Sequence, residues 1–505
     1  MPGELGLFAR RNKVSIDLMV EWGETIASSI GWIIGLTLLL LQLAGFVAAG
    51  HAIMTNRTTQ GTIAWVVVLL TFPYLAVPFY LLFGGSRFRG YVRAHHAKVA
   101  ALQGVHREYV RRMERFLVSP EDTPEGFRTI EGLTRTPFTE NNAIDLLVDG
   151  EVTFRSIFEG IEEARDYVIV QFFIIRADAL GLELRERLIR RLKEGVRVYF
   201  LFDKIGSRAL FEGFLGPLRE AGAHIGEFGA ARGISDSLRL NFRNHRKVVI
   251  VDGKAAWIGG HNVGVEYLGK DRKMGPWRDT HARVTGPVVQ SIQLVFLEDW
   301  YWACGAVPEW NWAPQAADAP AEESRRMLVI PGGPADDRET ISLSFLHAIN
   351  SAQKRVWIHS PYFVPDEVIV TALQLATLRG VDTRILLPER PDHLLVWLSS
   401  ISYTGDEKLR KVRFFRYQPG FLHSKMMVVD DSLAVIGTAN LDNRSFRINF
   451  EMLLAVLCPE FTARMAAVME QDFANSREEE TDAYYTRPLW MRVGARAARL
   501  MAPIQ

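Results

Sequence analysis

Cysteine is almost absent from this chain. Cys304 and Cys458 are the only two in 505 residues, which argues against a disulfide framework and against a zinc site built on cysteine ligands. A surplus of charge is lacking as well, because 59 lysines and arginines face 58 aspartates and glutamates. A net charge of +1 produces no field that favours a polyanion, so nucleic acid is not expected as a partner.

Charge is missing altogether from two stretches near the N-terminus, residues 26–50 and 62–85. About 20 apolar residues in a helix cross a bilayer, so both are predicted membrane spans within an anchor of residues 1–86. Pro73 and Pro78 predict that the second span is kinked or broken. The loop between the spans contains one charged residue, Arg57, whereas the segment that begins with Arg87 contains many arginines. The positive-inside rule therefore predicts a multi-pass protein of the cytoplasmic membrane with both termini and the catalytic domains in the cytoplasm.

Two further segments have a basic bias. Residues 87–140 are predicted either to lie along anionic headgroups or to form an ordinary solvated linker. The tail, residues 487–505, mixes arginines with Leu, Trp, Val and Met. It predicts a basic amphipathic helix that either lies in the membrane interface or docks on the body of the protein.

Between these segments a strand and helix rhythm occurs twice. Residues 167–175 and 196–203 are apolar runs of strand length, and helical patterns precede each of them. After a linker at residues 307–325 the same order returns, with strands predicted in RVWIHSPYF and VDTRILLP. Strands that are apolar on both faces and alternate with helices predict an α/β fold with helices on both sides of the sheet. We therefore expect two tandem α/β/α sandwich domains, residues 141–306 and 326–486, in a pseudo-twofold arrangement.

A motif suited to phosphate chemistry occurs once in each half. The two copies have the same spacing and comprise His245, Lys247, Asp252, Gly259 and Asn262, and His423, Lys425, Asp430, Gly437 and Asn440. A histidine and a lysine two residues apart share one face of a strand. The turns at Asp252–Gly253 and Asp430–Asp431 predict hairpins that return Asn262, and Thr438 with Asn440, to the histidine and lysine of the same copy.

Two facing copies would supply what an in-line displacement at a phosphodiester needs. One histidine is the nucleophile and the other the acid and base, while both lysines stabilise the phosphate oxygens together with Asn262, Asn440 and Thr438. This chemistry requires neither a metal nor a cofactor. Asp252 and Asp430 are included among the catalytic residues, although their place at the hairpin ends also suits a role in turn and register.

Each histidine also needs a carboxylate on its second ring nitrogen. Glu451, which follows His423 in the chain, and Asp279, which follows His245, are the candidates, and Glu266 is a rival to Asp279.

These motifs resemble those of the bacterial cardiolipin synthases in the phospholipase D superfamily. His423, Lys425, Asp430, Gly437, Thr438 and Asn440 match the signature HxKxxxxDxxxxxxGS/TxN. The first copy departs from it at Gly260, which stands in the place of Ser or Thr and would cost that copy one hydroxyl contact to phosphate. The resemblance extends to NRTTQGTIAW, NFRNHRK, GGHNVGVEYLG, SPYFVPDE and GTANLDNRSFRINFE.

The resemblance implies tandem phospholipase D-like domains behind the membrane anchor. It also implies transfer of a phosphatidyl group between two phosphatidylglycerols at the bilayer, giving cardiolipin and glycerol. By the same resemblance His245 is the nucleophile and His423 the acid and base, an order that the residues alone do not rank. Two rival readings remain: a phospholipase D or nuclease that hydrolyses the intermediate, and a membrane scaffold without turnover. The sequence leaves the oligomeric state open.

Overall fold

The structure, a computed structural model, describes residues 4–55, 59–83, 89–119, 125–134, 136–208, 210, 212–229, 242–271, 274–318, 325–334, 336 and 338–505. It contains two compact units, a smaller one that includes the N-terminal helices and a larger one formed by Phe88–Ser237 and Phe242–Gln505. The helices are α1 Glu4–Thr55, α2 Thr59–Thr71, α3 Pro73–Phe83, α4 Arg89–Met113, α5 Glu125–Glu131, α6 Asp149–Glu163, α7 Ala179–Lys193, α8 Glu212–Glu220, α9 Val288–Cys304, α10 Thr340–Ser351, α11 Glu367–Leu378, α12 Leu394–Thr404, α13 Asn443–Arg447, α14 Pro459–Ala474, α15 Ala483–Thr486 and α16 Leu489–Arg499.

The strands are β1 Thr139–Val148, β2 Tyr167–Phe172, β3 Arg197–Asp203, β4 His224–Phe228, β5 Arg243–Asn244, β6 Val248–Val251, β7 Ala255–Gly259, β8 Trp277–Arg278, β9 Thr280–Thr285, β10 Arg325–Gly332, β11 Arg355–His359, β12 Phe363–Val364, β13 Asp382–Pro388, β14 Arg413–Tyr417, β15 Phe421–Leu422, β16 Met426–Val429, β17 Leu433–Gly437, β18 Leu441–Asp442, β19 Asn449–Leu457 and β20 Ser476–Glu478.

The N-terminal unit contains one helix that is long and apolar enough to cross a membrane among the residues that the structure describes. This part of α1, Ile30–Thr55, has 26 residues and spans about 39 Å at 1.5 Å per residue. The second apolar stretch forms two shorter helices, α2 and α3, that meet at Phe72 ahead of Pro73, so the break expected from the prolines is confirmed. Neither is long enough to span alone. By length and composition the structure therefore supports only the first of the two predicted spans.

The small side chains of α1 allow α2 and α3 to pack closely against it. Ala49 and Ala52 on α1 are buried together with Leu69 on α2 and with Ala76 and Tyr80 on α3. Arg57 and Arg87, on which the predicted orientation partly depends, lie outside the described residues.

The basic segment after the N-terminal helices is a helix, α4, whose C-terminal half packs against α9 within the larger unit. Tyr109 and Met113 are buried, and the Tyr109 hydroxyl lies 2.9 Å from the Ser291 hydroxyl on α9. This half of α4 is therefore not a solvated linker. Further along, Phe127 and Ile130 of α5 are buried in the core of the second half.

One mixed sheet of 16 strands runs through both halves of the larger unit. Its order is β20-β14-β13-β11-β16-β17-β19-β10-β1-β9-β7-β6-β2-β3-β4, and β5 joins it by pairing with β19. The antiparallel pair β1 and β10 lies at its centre, and the strands on either side follow in the same order in the two halves. The duplicated α/β architecture with pseudo-twofold symmetry is therefore confirmed.

Helices cover the sheet on both faces, because its strands are apolar on both faces. The α9 and α14 helices contribute to one core that spans both halves. A second core contains α6, α7 and α8 of the first half, and a third contains α10 and α11 of the second half. The tail helix α16 packs on α12 through the buried Ala495. Of the two predicted positions of the tail, the structure therefore shows the one docked on the body of the protein.

Candidate active site

Two short parallel strand pairs bring the motifs of the two halves together. In the first pair β5 lies beside the start of β19, and the N–H of His245 donates to the carbonyl of Phe450 at 2.9 Å. In the second pair β15 lies beside β8, and the N–H of His423 donates to the carbonyl of Arg278 at 2.8 Å. Each histidine thus directly follows a short strand that pairs with a strand of the opposite half.

This pairing exchanges the carboxylates between the halves. Nδ1 of His245 lies 2.9 Å and 3.0 Å from the two oxygens of Glu451, and Nδ1 of His423 lies 2.7 Å from Oδ2 of Asp279. Chain order associates each carboxylate with the histidine before it, and the structure corrects that association. Glu266, the rival, forms an ion pair with Arg176 at 3.0 Å instead.

Glu451 is held by four side chains and is completely buried. Besides His245, it accepts hydrogen bonds from the Thr438 hydroxyl at 2.6 Å, the Ser445 hydroxyl at 3.0 Å and the Asn449 amide at 3.2 Å. Thr438 was predicted to bind phosphate. Its hydroxyl instead donates to Glu451 and accepts from the Met452 N–H, so it positions the carboxylate.

The same geometry explains why the first copy has glycine at position 260. A Cβ added to Gly260 would lie 2.0 Å from Oδ1 of Asp279, so the carboxylate occupies the space that a threonine would need. The first half therefore combines Gly260 with the shorter Asp279, and the second half combines Thr438 with the longer Glu451. The departure at Gly260 makes room for a carboxylate and does not remove a phosphate contact.

Both lysines are buried beside the histidines. Nζ of Lys247 donates to the carbonyl of His245 at 2.5 Å, and Nζ of Lys425 donates to the carbonyl of His423. Burial lowers the pKa of Lys425 to about 8, and it holds the pKa of Lys247 well below its usual value, in both cases against the attraction of Asp279 and Glu451. A phosphate anion that binds here would stabilise the charged form of both buried ammonium groups.

The imidazoles are neutral in this site. Burial lowers the pKa of His245 to about 4, although Glu451 opposes the shift, and burial with the charge of Lys425 lowers the pKa of His423 to about 4. Burial would raise the pKa of Asp279 and of Glu451, but the interactions with their histidine neighbours and with the buried lysines hold the pKa of both below its usual value. An ionised carboxylate only accepts, so each Nδ1 carries the hydrogen and each Nε2 has its lone pair available for chemistry.

The two predicted asparagines are buried close to the motifs, and each already has protein partners. Asn262 accepts from the Ile174 N–H at 3.1 Å and donates to the Tyr267 hydroxyl at 3.1 Å. Asn440 donates to Asp442 at 3.2 Å. An amide nitrogen has two hydrogens and these contacts use one, so each side chain keeps a donor for a phosphate oxygen.

Asp252 and Asp430 lie at the far ends of β6 and β16 from the histidines, which corrects their inclusion in the catalytic set. Asp252 accepts from the N–H groups of residues 165, 166 and 167, and Asp430 accepts from those of residues 353, 354 and 355. Both have positive φ, 54° and 50°. They fix the hairpin turn against the neighbouring strand, which is the structural role that the sequence also suggested.

Aromatic side chains that sequence reasoning missed line both histidines. The Phe173 ring lies 5.1 Å from the His245 ring, and the Trp277 ring lies 5.1 Å from the His423 ring. The side chains of His245 and His423 keep only 12% and 9% of their surface exposed. Both imidazoles are therefore nearly buried, each beside an aromatic ring. Isolated aromatic residues have no sequence spacing that could have shown this.

A buried ion pair supports the first motif and was also missed. Arg246 donates to Asp299 at 2.7 Å and to the carbonyl of Glu451 at 3.0 Å. Asp299 also accepts from Gln171 and Asn244. This network links α9, β2 and β19 directly behind His245, so the orientation of that residue is fixed from both halves.

Comparisons with known proteins agree with the geometry. The family model described as cardiolipin synthase, PLD-like domain, matches residues 345–473, and the one described as phospholipase D-nuclease N-terminal matches residues 43–85. A protein named cardiolipin synthase A from Pseudomonas aeruginosa (strain LESB58) is 45% identical over 93% of this chain and 96% of its own length. A protein of the same name from Pseudomonas putida (strain GB-1) is 44% identical over 94% of this chain and 98% of its own length.

Among solved structures, that of phosphatidylserine synthase from Haemophilus influenzae Rd KW20 covers 76% of this chain and 100% of its own, with a TM-score of 0.58. At 16% identity this likeness shows the fold alone. The two curated relatives match nearly end to end at more than 40% identity, and the fold and paired motifs agree with them. The chain belongs to the cardiolipin synthases of the phospholipase D superfamily.

Proposed function

We propose that this protein is a membrane-bound phosphatidyltransferase that converts two phosphatidylglycerol molecules into cardiolipin and glycerol through a phosphohistidine. The observation that carries the proposal is the site itself. Two histidines each have Nδ1 on a buried carboxylate of the opposite half, and each also lies within the electrostatic reach of the buried lysine of the other half. A single half could not supply both a nucleophile and a proton donor in this orientation.

In the first step Nε2 of His245 attacks the phosphorus of the donor lipid. The P–N bond forms as the P–O bond to glycerol breaks, and His423 gives a proton to the departing oxygen. The bound phosphodiester anion raises the proton affinity of His423, which is neutral in the free site. Lys247 and Lys425 stabilise the charge on the non-bridging oxygens throughout.

In the second step a hydroxyl of the acceptor phosphatidylglycerol attacks the same phosphorus. His423 takes the hydroxyl proton, the P–N bond breaks and cardiolipin leaves. Water would give phosphatidic acid at this stage, so the exclusion of water decides between transfer and hydrolysis. The rings of Phe173, Trp277 and Tyr267, which lie beside the nearly buried histidines, support transfer.

Ile30–Thr55 fits a membrane anchor, and we further propose that α2 and α3 cross the bilayer together as a bent second span. The arginines that follow this span support a catalytic body on the cytoplasmic side of the cell membrane. Alkaline phosphatase fused after Arg57 would then be active and a fusion at the C-terminus inactive. The opposite pattern, or two inactive fusions, would contradict this topology.

The test of the proposed reaction uses the purified full-length protein with phosphatidylglycerol in mixed micelles. We expect cardiolipin and glycerol in equal amounts. Phosphatidic acid in place of cardiolipin would indicate hydrolysis, and unchanged lipid would indicate a scaffold, so either result refutes the proposal. His245→Ala and His423→Ala should each abolish turnover, because each histidine performs a step that the other cannot.

A further inference from the structure

An exposed apolar surface lies on two neighbouring helices of the larger unit, outside the site described above. We call it the α12–α16 patch and define it by Leu394 and Leu395 at the start of α12 and by Leu489, Trp490 and Val493 at the start of α16. Their exposed fractions are 64%, 47%, 72%, 73% and 58% respectively. Five large apolar side chains so exposed at adjoining helix ends form a contiguous surface of the kind that binds another apolar phase.

The α16 helix is apolar on two faces, and the body uses only one of them. Ala495 and Ala498 are buried, and Met491 packs beside Ala495 against Ile401 of α12. Leu489, Trp490 and Val493 fall on the other side of the helix, since residues four apart share a face. Docking on the body therefore does not explain this second face.

The two helices run in the same direction, which brings the exposed residues together. At their C-terminal ends the Arg499 guanidinium lies 4.0 Å from the centre of the Tyr403 ring. Trp397 and Met491, nearer the N-terminal ends, join the same buried cluster. The starts of α12 and α16 are consequently neighbours.

Arginines border the patch on its α16 side, and two of them have no matching acid. The tail from residue 487 to residue 505 contains four arginines and no aspartate or glutamate. Arg487 and Arg499 pair with Glu479 and Asp406. Within the described residues, no carboxylate lies at ion-pair distance from Arg492 or Arg496. The α16 side of the patch is therefore positive.

The patch adjoins the catalytic edge of the sheet. Strand β16 begins one residue after Lys425, opposite His359 at the end of β11, and the parallel strand β13 ends beside β11 at Pro388. Strand β13 thus lies about 10 Å, two strand spacings, from β16, and the loop that leads into α12 starts at the end of β13. Asp392 in this loop accepts from the Tyr362 hydroxyl and acts electrostatically on Lys425.

We propose that the α12–α16 patch inserts into the headgroup region of an anionic bilayer and so holds the catalytic edge of the sheet close to its lipid substrates. A membrane fits better than a protein partner because tryptophan and arginine around an aliphatic centre suit the interface of an anionic membrane. The chain also has its own membrane helix, which keeps the body within reach of a bilayer. The kinetic test below rests on the proposed function, whereas the binding test does not.

The binding test places the full-length protein in vesicles of phosphatidylcholine and phosphatidylglycerol with bromines near the top of the acyl chains. The sequence contains 12 tryptophans, so the signal of Trp490 is the difference between the wild type and Trp490→Phe. We expect this component to be blue-shifted and quenched by the brominated lipid. A Trp490 component that is not quenched would overturn the proposal: emission as in water would show an exposed patch, and blue-shifted emission without quenching would show a patch covered by protein.

The kinetic test combines Leu489→Ser with Val493→Ser and compares two forms of phosphatidylglycerol. With long-chain lipid in anionic vesicles the apparent KM should rise about tenfold, because insertion of the patch is weakened, while short-chain monomeric lipid should react at the normal rate. The control is Leu378→Ser on α11, which is 62% exposed and lies outside the patch, and it should stay within about twofold for both substrates.

Equal losses on both substrates, or an equal loss in the control, would refute a membrane contact. Thermal unfolding of each variant checks that the body remains folded. A protein without transferase activity could still show quenching of Trp490, so failure of the proposed function and failure of the patch proposal are distinguishable.

Discussion

Glu451→Gln tests the exchange of carboxylates between the halves. The substitution keeps the size of the side chain and removes the charge that faces Nδ1 of His245 at 2.9 Å and 3.0 Å. Thr438, Ser445 and Asn449 all donate to Glu451, so a glutamine must turn an N–H group toward at least one donor. The imidazole of His245 then loses both its orientation and the charge that stabilises it as it becomes cationic.

The size of the effect follows from the burial of this pair. Removing one partner of a buried charged pair costs about 3 to 5 kcal/mol, and each 1.36 kcal/mol changes a rate about tenfold. If about 3 kcal/mol appears in the transition state, kcat falls about 100-fold while KM changes little. The assay is cardiolipin formation by the purified full-length enzyme in mixed micelles. The matched control is Glu266→Gln, whose carboxylate pairs with Arg176, and its rate should stay within about twofold.

A donor with a better leaving group distinguishes the roles of the two carboxylates. With phosphatidyl-p-nitrophenol as donor, the departing oxygen needs no proton from His423. Asp279→Asn, which acts through His423, should then lose most of its effect on formation of the intermediate, whereas Glu451→Gln should keep its full effect. The opposite pattern, or a Glu451→Gln enzyme with more than about a third of normal activity, would refute the crosswise pairing.

Three further predictions follow from the same contacts. Gly260→Ala should lower kcat at least about tenfold, because the added Cβ would lie 2.0 Å from the carboxylate of Asp279, whereas Gly104→Ala, with nothing within 4 Å, should be silent in the same assay. Asp430→Asn should lower the free energy of unfolding by about 2 kcal/mol, seen as a lower Tm, because a carboxylate that accepts from three backbone N–H groups is lost, while the folded enzyme keeps a near-normal kcat; a large loss of kcat without a change in Tm would contradict the structural role. The pKa of His245 and of His423 is about 4 in the folded protein and 6.5 in the unfolded chain, so folding releases protons between pH 4 and pH 6.5. The contribution of the two histidines to the free energy of unfolding is therefore full above pH 6.5. It falls toward pH 4 by about 1 kcal/mol per pH unit for each histidine. Thermal unfolding from pH 7 to pH 4 should show this slope in the wild type and a smaller one in the double variant His245→Gln, His423→Gln, and equal slopes would refute it.

Local patterns in the sequence were sufficient to predict the elements that carry the motifs. The apolar runs from Tyr167 and from Val196 became β2 and β3, and the Asp252–Gly253 turn joins β6 to β7 as expected. Strands and turns of this kind depend on residues that are close in sequence, so a single sequence is enough to predict them. The duplication was visible for the same reason, because the two copies could be compared with each other.

Contacts between the halves could not be predicted in this way. The pairing of His245 with Glu451 depends on β5 lying beside β19, and two-residue strands leave no periodic pattern. The role of Thr438 was predicted wrongly because a hydroxyl in a phosphate motif can donate to a phosphate oxygen as well as to a carboxylate. Only the position of Glu451 behind it decides between them.

The most direct test of the mechanism is to identify the covalent intermediate. Wild-type full-length enzyme is mixed with phosphatidylglycerol labelled at phosphorus, quenched in alkali within milliseconds and digested, because phosphohistidine survives base and is lost in acid. We predict acid-labile label on the peptide that contains His245 and none on the peptide that contains His423. Turnover without labelled histidine, or label on His423, would contradict the nucleophilic role of His245.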